Sequence, residues 1–119
     1  MSFTGKVAVI TGAGSGIGKG LAQECARAGM RVVLAGYNAA PLQAVAEELS
    51  GTETLCVQTD VAQLAQVQAL AQATIAEFGQ VDIVFNNAGV APLGRTQDTS
   101  LEDWNWTLSV NLWGPIFGV

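Results

Sequence analysis

Four short apolar runs, residues 6–11, 31–35, 54–59 and 81–85, alternate with segments whose apolar side chains recur every three or four positions. This alternation constrains the fold more than any other feature of the chain. Apolarity that is continuous within the short runs predicts strands covered on both faces, as in a parallel sheet. The intervening periodicity predicts three helical faces: Ile17, Leu21, Cys25 and Ala28; Leu42, Val45 and Leu49; and Leu64, Val67, Ala71, Ile75 and Phe78. Asp60 before Gln63 and Ser100 before Asp103 read as helix starts capped by a side-chain oxygen, and Gly29, Gly51 and Gly79 stand where helices stop. Strand and helix in strict alternation predict an α/β fold, a doubly wound parallel sheet with helices on both faces and strand order 3-2-1-4.

With 119 residues, half of them apolar, the chain suits one domain spanning residues 1–119. Its last helix reads as cut short at Val119, so the outer edge of the fourth strand is expected to be uncovered and prone to association. The net charge is −5, and Lys6, Lys19, Arg27, Arg31 and Arg95 form no basic cluster, which argues against a nucleic-acid partner. Cys25 and Cys56 lack metal-ligand spacing and the chain has no histidine, so neither a metal site nor a histidine-dependent triad is expected; both thiols read as reduced packing residues. Met1 to Lys6 run into the first strand without a secretory pattern, and no apolar stretch is long enough to span a bilayer; a cytoplasmic protein without a membrane partner is the expectation.

The first strand empties into Thr11-Gly12-Ala13-Gly14-Ser15-Gly16-Ile17-Gly18, from which the next helix starts. Glycines here let the backbone turn sharply and admit a pyrophosphate to the helix N-terminus, where unpaired N–H groups and the helix dipole favour an anion. Close helix-to-strand packing is the plainer role for the same glycines. The dinucleotide spacing Gly-x-Gly-x-x-Gly is not met, because Gly14 and Gly16 lead to Lys19, and Gly16 and Gly18 to Leu21. Nor is this a nucleoside-triphosphate loop, since Ala13 and Gly20 occupy two of its defining positions.

The spacing Thr-Gly-x-x-x-Gly-x-Gly resembles the cofactor loop of the short-chain dehydrogenase/reductase family. Three further motifs follow in order: Asp60-Val61 after the third strand, Asn86-Asn87-Ala88-Gly89 after the fourth, and Asn111-Leu112-Trp113-Gly114 in the next helix. The resemblance covers essentially the whole chain and implies a Rossmann-like domain in which Thr11, Gly12, Gly14, Ser15, Gly16, Ile17 and Gly18 cradle the diphosphate of NAD or NADP. By the same resemblance, Asp60 and Val61 hold the adenine, and Asn87, Ala88 and Gly89 form the floor beneath a ribose. Asn86 and Asn87 would tie the fourth strand to its neighbours, and Asn111 would bond a helix carbonyl at a kink and help hold a water in the proton relay, the one catalytic residue within this chain.

The family's acid–base pair, a tyrosine followed four residues later by a lysine, is not found: the only tyrosine is Tyr37, and Pro41 stands four positions on. The chain alone is therefore expected to be inactive, as the cofactor-binding part of an oxidoreductase that moves hydride between nicotinamide and a small carbonyl or alcohol substrate. Gly36-Tyr37-Asn38 ends the second strand without the acid that takes a ribose 2′-hydroxyl, which leans toward NADP, although Ser15 is not basic. Trp104, Trp106 and Trp113 read as core or as the interface of a homo-oligomer. A non-catalytic dinucleotide-binding module and a methyl-donor-binding α/β domain remain as alternatives.

Overall fold

The computed structural model describes residues 2–119. In chain order the elements are β1 (Val7–Thr11), α1 (Gly16–Arg27), β2 (Arg31–Gly36), α2 (Ala39–Glu48), β3 (Thr54–Gln58), α3 (Leu64–Phe78), β4 (Ile83–Phe85), α4 (Leu101–Leu108) and α5 (Gly114–Gly118). A 3-10 turn at Thr96–Asp98 precedes α4, and a π-helical turn at Ser109–Trp113 joins α4 to α5. The four strands form one parallel sheet in the order β3-β2-β1-β4. This is the doubly wound α/β order that the alternating pattern predicts.

Alternate residues of the two central strands feed two separate cores. Ala8, Ile10, Val32 and Leu34 pack with Ala22 and Cys25 of α1 and with Leu42, Val45 and Leu49 on the α2 side. Val7, Val9, Val33 and Ala35 pack on the other face with Leu70 of α3, flanked by Phe78. Full burial of each such aliphatic side chain contributes about 1.5–3 kcal/mol, so the first layer carries most of the stabilisation.

Both-face coverage holds for β1 and β2, but it fails at the rims: β3 is half-buried, and Val84 in β4 is 41% exposed. β4 has a strand neighbour on one side only among the described residues. Of the predicted helical faces, that of Leu42, Val45 and Leu49 is buried as expected. Helix α1 is rotated from the expected face, burying Gly18, Ala22 and Cys25 while Ile17 is 77% exposed, because small residues must meet the sheet where the helix leaves the glycine turn. Helix α3 buries Leu70 and Thr74 and leaves Leu64 and Ile75 exposed, so its longest apolar stripe does not face the sheet.

Ser100 caps α4 as expected, accepting from the Asp103 N–H at 3.1 Å. Asp60 caps no helix: its Oδ1 accepts from the Ala62 N–H at 3.0 Å in a local turn, and α3 starts after Gln63 without a side-chain cap. Gly79 ends α3 in the left-handed conformation, with φ of 76°. Burial pushes both thiols up from their ordinary values, which suits unreactive packing cysteines.

Asp82 pins the start of β4 to β1, its Oδ2 accepting from the Val7 N–H at 2.7 Å and from Gln80 Nε2 at 2.7 Å. The Val7 bond first, then the Gln80 bond, hold the carboxyl below its ordinary value, with Lys6 adding attraction at 4.0 Å. A carboxylate lowered in the folded state stabilises above its unfolded value and loses that contribution as pH falls through the folded one. The expected result is an acid limb in Tm below about pH 4 that is shallower in Asp82→Asn, which keeps an acceptor for Val7. Melting curves between pH 6 and 2.5, about the range in which carboxylates titrate, check this, and identical acid limbs would contradict it.

Candidate functional site

The ends of all four strands and the turn Thr11–Gly18 meet along one edge of the sheet, where β1 lies between β2 and β4 and successive connections depart in opposite directions. Open α/β sheets bind ligands at such a switch point. A cleft of about 530 Å³ opens there, lined by Gly12, by Gly36, Tyr37 and Asn38 after β2, by Thr59, Asp60, Val61 and Ala62 after β3, by Ala88, Gly89 and Val90 after β4, and by Trp106 and Val110. That volume falls within the usual range of small-molecule sites.

Thr11 organises the junction. Its buried hydroxyl accepts from the N–H groups of Asn87 and Ala88, both at 3.0 Å, and lies 3.3 Å from the Phe85 carbonyl to which it donates. Asn87 returns the tie through its side-chain amide, which donates to the Thr11 carbonyl at 3.1 Å and the Gly12 carbonyl at 3.4 Å. The glycine turn and the end of β4 are thereby held as one unit. Asn86 takes no part in this tie, contrary to expectation; it lies beside Gly118 and lines a separate apolar cavity against α3 and α5.

Glycines in the turn allow both sharp turning and close packing. Gly12 has φ of 66°, and a Cβ there would stand 3.0 Å from the Ala88 Cα. A Cβ at Gly18 would run into the Gly12 carbonyl, and one at Gly14 would come within 2.8 Å of Pro41. Gly16, with φ of 54°, faces open space. Ser15 precedes α1 in extended conformation with no side-chain cap, and no acid occupies the first turn, so the N–H groups at the head of α1 remain open to an anion. Ser15 and Ile17 are exposed beside them.

At the other end, the Asp60 N–H donates to Gln66 Oε1 at 2.7 Å, and the Tyr37 carbonyl accepts from Gln58 Nε2 at 3.0 Å. Tyr37, Gln58, Asp60 and Gln66 line a polar cavity of about 420 Å³ that shares Tyr37 and Asp60 with the main cleft. Val61 is buried against Gly114. Among the described residues no cation lines either space. Lys6, Lys19, Arg27 and Arg95 are each paired with an acid, and Arg31 donates to the Gly5 carbonyl and lies over the Phe78 ring.

Asn111 stands in the π-helical turn, exposed rather than buried, and its partner is not a helix carbonyl. Its amide grips the backbone of Val90 from both sides, Oδ1 accepting from the N–H at 2.8 Å and Nδ2 donating to the carbonyl at 2.7 Å. The wide turn swings this side chain toward the segment after β4, which offers an unpaired N–H and C=O together. None of the three tryptophans is core: Trp104, Trp106 and Trp113 are 40%, 48% and 50% exposed. Trp106 and Val110, with Asn38, Thr59, Ala62 and Val90, are the cleft residues that sequence reasoning missed. The four-residue step from Trp106 through Val110 to Gly114 is the one signal in the sequence for the first two of these. The described residues contain no group of three or more metal-ligating side chains, and none of their helices is long and apolar enough to cross a membrane.

The chain belongs to the short-chain dehydrogenase family, whose model matches residues 6–119. It is 46% identical over 112 residues to a D-threitol dehydrogenase of Mycolicibacterium smegmatis, a match covering 92% of this chain and 43% of that protein. An uncharacterised oxidoreductase of Staphylococcus aureus is 40% identical over 117 residues, covering 98% of this chain and 51% of its own length. Among solved structures, a short-chain dehydrogenase/reductase from Burkholderia phymatum in complex with NAD superposes with a TM-score of 0.97 at 46% identity, over all of this chain and 43% of that one. A 3-ketoacyl-(acyl-carrier-protein) reductase from Brucella melitensis complexed with NADH gives a TM-score of 0.93 at 36% identity, over 98% of this chain and 48% of that one. The chain thus spans about half the length of the curated relatives it matches.

Proposed function

We propose that the 119 residues form one dinucleotide-binding domain of an NAD-dependent oxidoreductase of the cytoplasm. The observation that carries this reading is the uncapped, acid-free head of α1, set behind a turn in which Gly12, Gly14 and Gly18 leave no room for a Cβ, and opening beside the cleft. Thr11 to Gly18 would receive the diphosphate on main-chain N–H groups, Gly36, Tyr37, Asp60 and Val61 the adenosine, and Asn87, Ala88 and Gly89 the second ribose. When bound, the nicotinamide supplies the hydride exchanged with a carbonyl or alcohol carbon. Asn111 would act on that chemistry by fixing Val90. Because the 119 residues contain no Tyr-x-x-x-Lys, hydride transfer is assigned to a polypeptide of the relatives' length, assembled as a homo-oligomer, and the chain alone to binding without turnover.

The unphosphorylated coenzyme is the better match. Gly36-Tyr37-Asn38 presents no carboxylate to repel a 2′-phosphate, but the cleft offers no cation to hold one, and Asp60 stands at that end. The relatives solved with NAD and NADH support the same choice. Calorimetric titration of the chain is expected to give NAD a Kd at least about tenfold below that of NADP, a difference of about 1.4 kcal/mol. Equal or reversed affinities overturn the coenzyme preference. Stabilisation by adenosylmethionine with none by either dinucleotide overturns the dinucleotide reading as a whole and favours a methyl-donor domain.

A further inference from the structure

Trp106 is not a core residue: it is half-exposed and lines the cleft. Trp106, Val110 and Gly114 stand four residues apart through the π-helical turn. Gly114 meets Val61 so closely that an added Cβ would lie 2.9 Å from Val61 Cγ2, and Val110 is buried. The stripe thus runs from Gly114 beside Val61 up to Trp106, which lines the cleft together with Asp60, Val61 and Ala62. Tyr37 is the other aromatic side chain in the lining, and beyond it the cavity of Gln58, Asp60 and Gln66 carries acceptors and neutral amides but no cation. A flat apolar wall beside a carboxylate and amide groups fits a planar heteroaromatic ring bearing an amino group.

We infer that Trp106 is the wall on which the adenine ring of the dinucleotide stacks, making it an affinity-determining residue for the adenosine half. The inference rests on the dinucleotide reading above. Stacking in this place also accounts for a large indole left half in water on α4, because the ligand supplies the apolar surface that the protein does not.

The test uses Trp104→Phe/Trp113→Phe chains, in which Trp106 is the one remaining tryptophan. ADP-ribose and NADH are expected to quench its emission, and nicotinamide mononucleotide to leave it unchanged. Calorimetry on otherwise unaltered chains is expected to show Trp106→Ala weakening ADP-ribose roughly tenfold or more, the size of one lost base–aromatic stack, while Trp106→Phe stays within about threefold because a phenyl face still stacks. Undiminished affinity in Trp106→Ala, or quenching by nicotinamide mononucleotide alone, overturns the assignment while leaving the dinucleotide site intact. Failure of the unaltered chain to bind NAD, NADH or ADP-ribose overturns the site itself, and this inference with it.

Discussion

Gly18→Ala is expected to destabilise the fold by about 3 kcal/mol, lower Tm by about 10 °C, and abolish dinucleotide binding. The added methyl would collide with the Gly12 carbonyl oxygen and come within 2.7 Å of both the Gly12 carbonyl carbon and Asn87 Nδ2. Two of these neighbours are backbone and the third is bonded to Thr11 and Gly12, so none can move aside without breaking the junction between the turn and β4. Gly20→Ala is the control: it lies in the same helix with nothing within 4 Å of its added Cβ, and is expected to stabilise by roughly 0.5–1 kcal/mol through helix propensity. Thermal melts and NAD titrations of the two variants check the contrast. Equal effects would show that helix propensity rather than the close approach governs these positions.

Thr11→Val is expected to cost about 2 kcal/mol although it conserves shape. The hydroxyl serves three backbone groups, and without it the Ala88 N–H loses its acceptor, while Asn87 N–H falls back on the Phe85 carbonyl at 2.9 Å. A part-buried donor left without its partner bears a desolvation cost, whereas Thr11→Ser retains the oxygen and is expected to lose less than half as much. Urea titration should show the midpoint falling in the valine variant with an unchanged m-value, the sign of altered stability rather than an altered unfolded state. Dinucleotide affinity should fall as well, because the same bonds position Ala88 in the cleft lining. A valine variant as stable as the serine one would remove Thr11 from the role given to it here.

The strand order and the edge that carries the cleft were legible because alternation, glycine turns and strand-end motifs are local signals that agree with one another. Helical phase was less legible. In α1 two of the residues facing the sheet are small, Gly18 and Ala22, so periodicity read from the larger apolar residues finds Leu21 and Cys25 but misplaces the face at Ile17. In α3 the apolar residues encircle much of the helix, and only packing selects Leu70 and Thr74 as the inner pair. Asp60 was recognisable as a strand-end residue, but its choice of the Ala62 N–H over a helix cap depends on three further residues of chain before α3 begins. Asn111 was legible as a motif but its partner was not, since Val90 lies 21 residues away and is presented by a loop. The place of Trp106 in the cleft lining was not legible for a related reason: an aromatic residue on a helix carries no local mark of whether a core, a partner or a ligand cleft lies beside it.

β4 spans three residues and is bonded along one edge, yet the residues that follow it supply both the ties to Thr11 and the loop gripped by Asn111. A segment anchored on one flank separates at lower free energy than one anchored on both, so opening at β4 is expected to reach the Thr11–Gly18 turn through Asn87. A dinucleotide bridging that turn and Gly89, as proposed, would lend its association energy to this seam and so act as a structural brace.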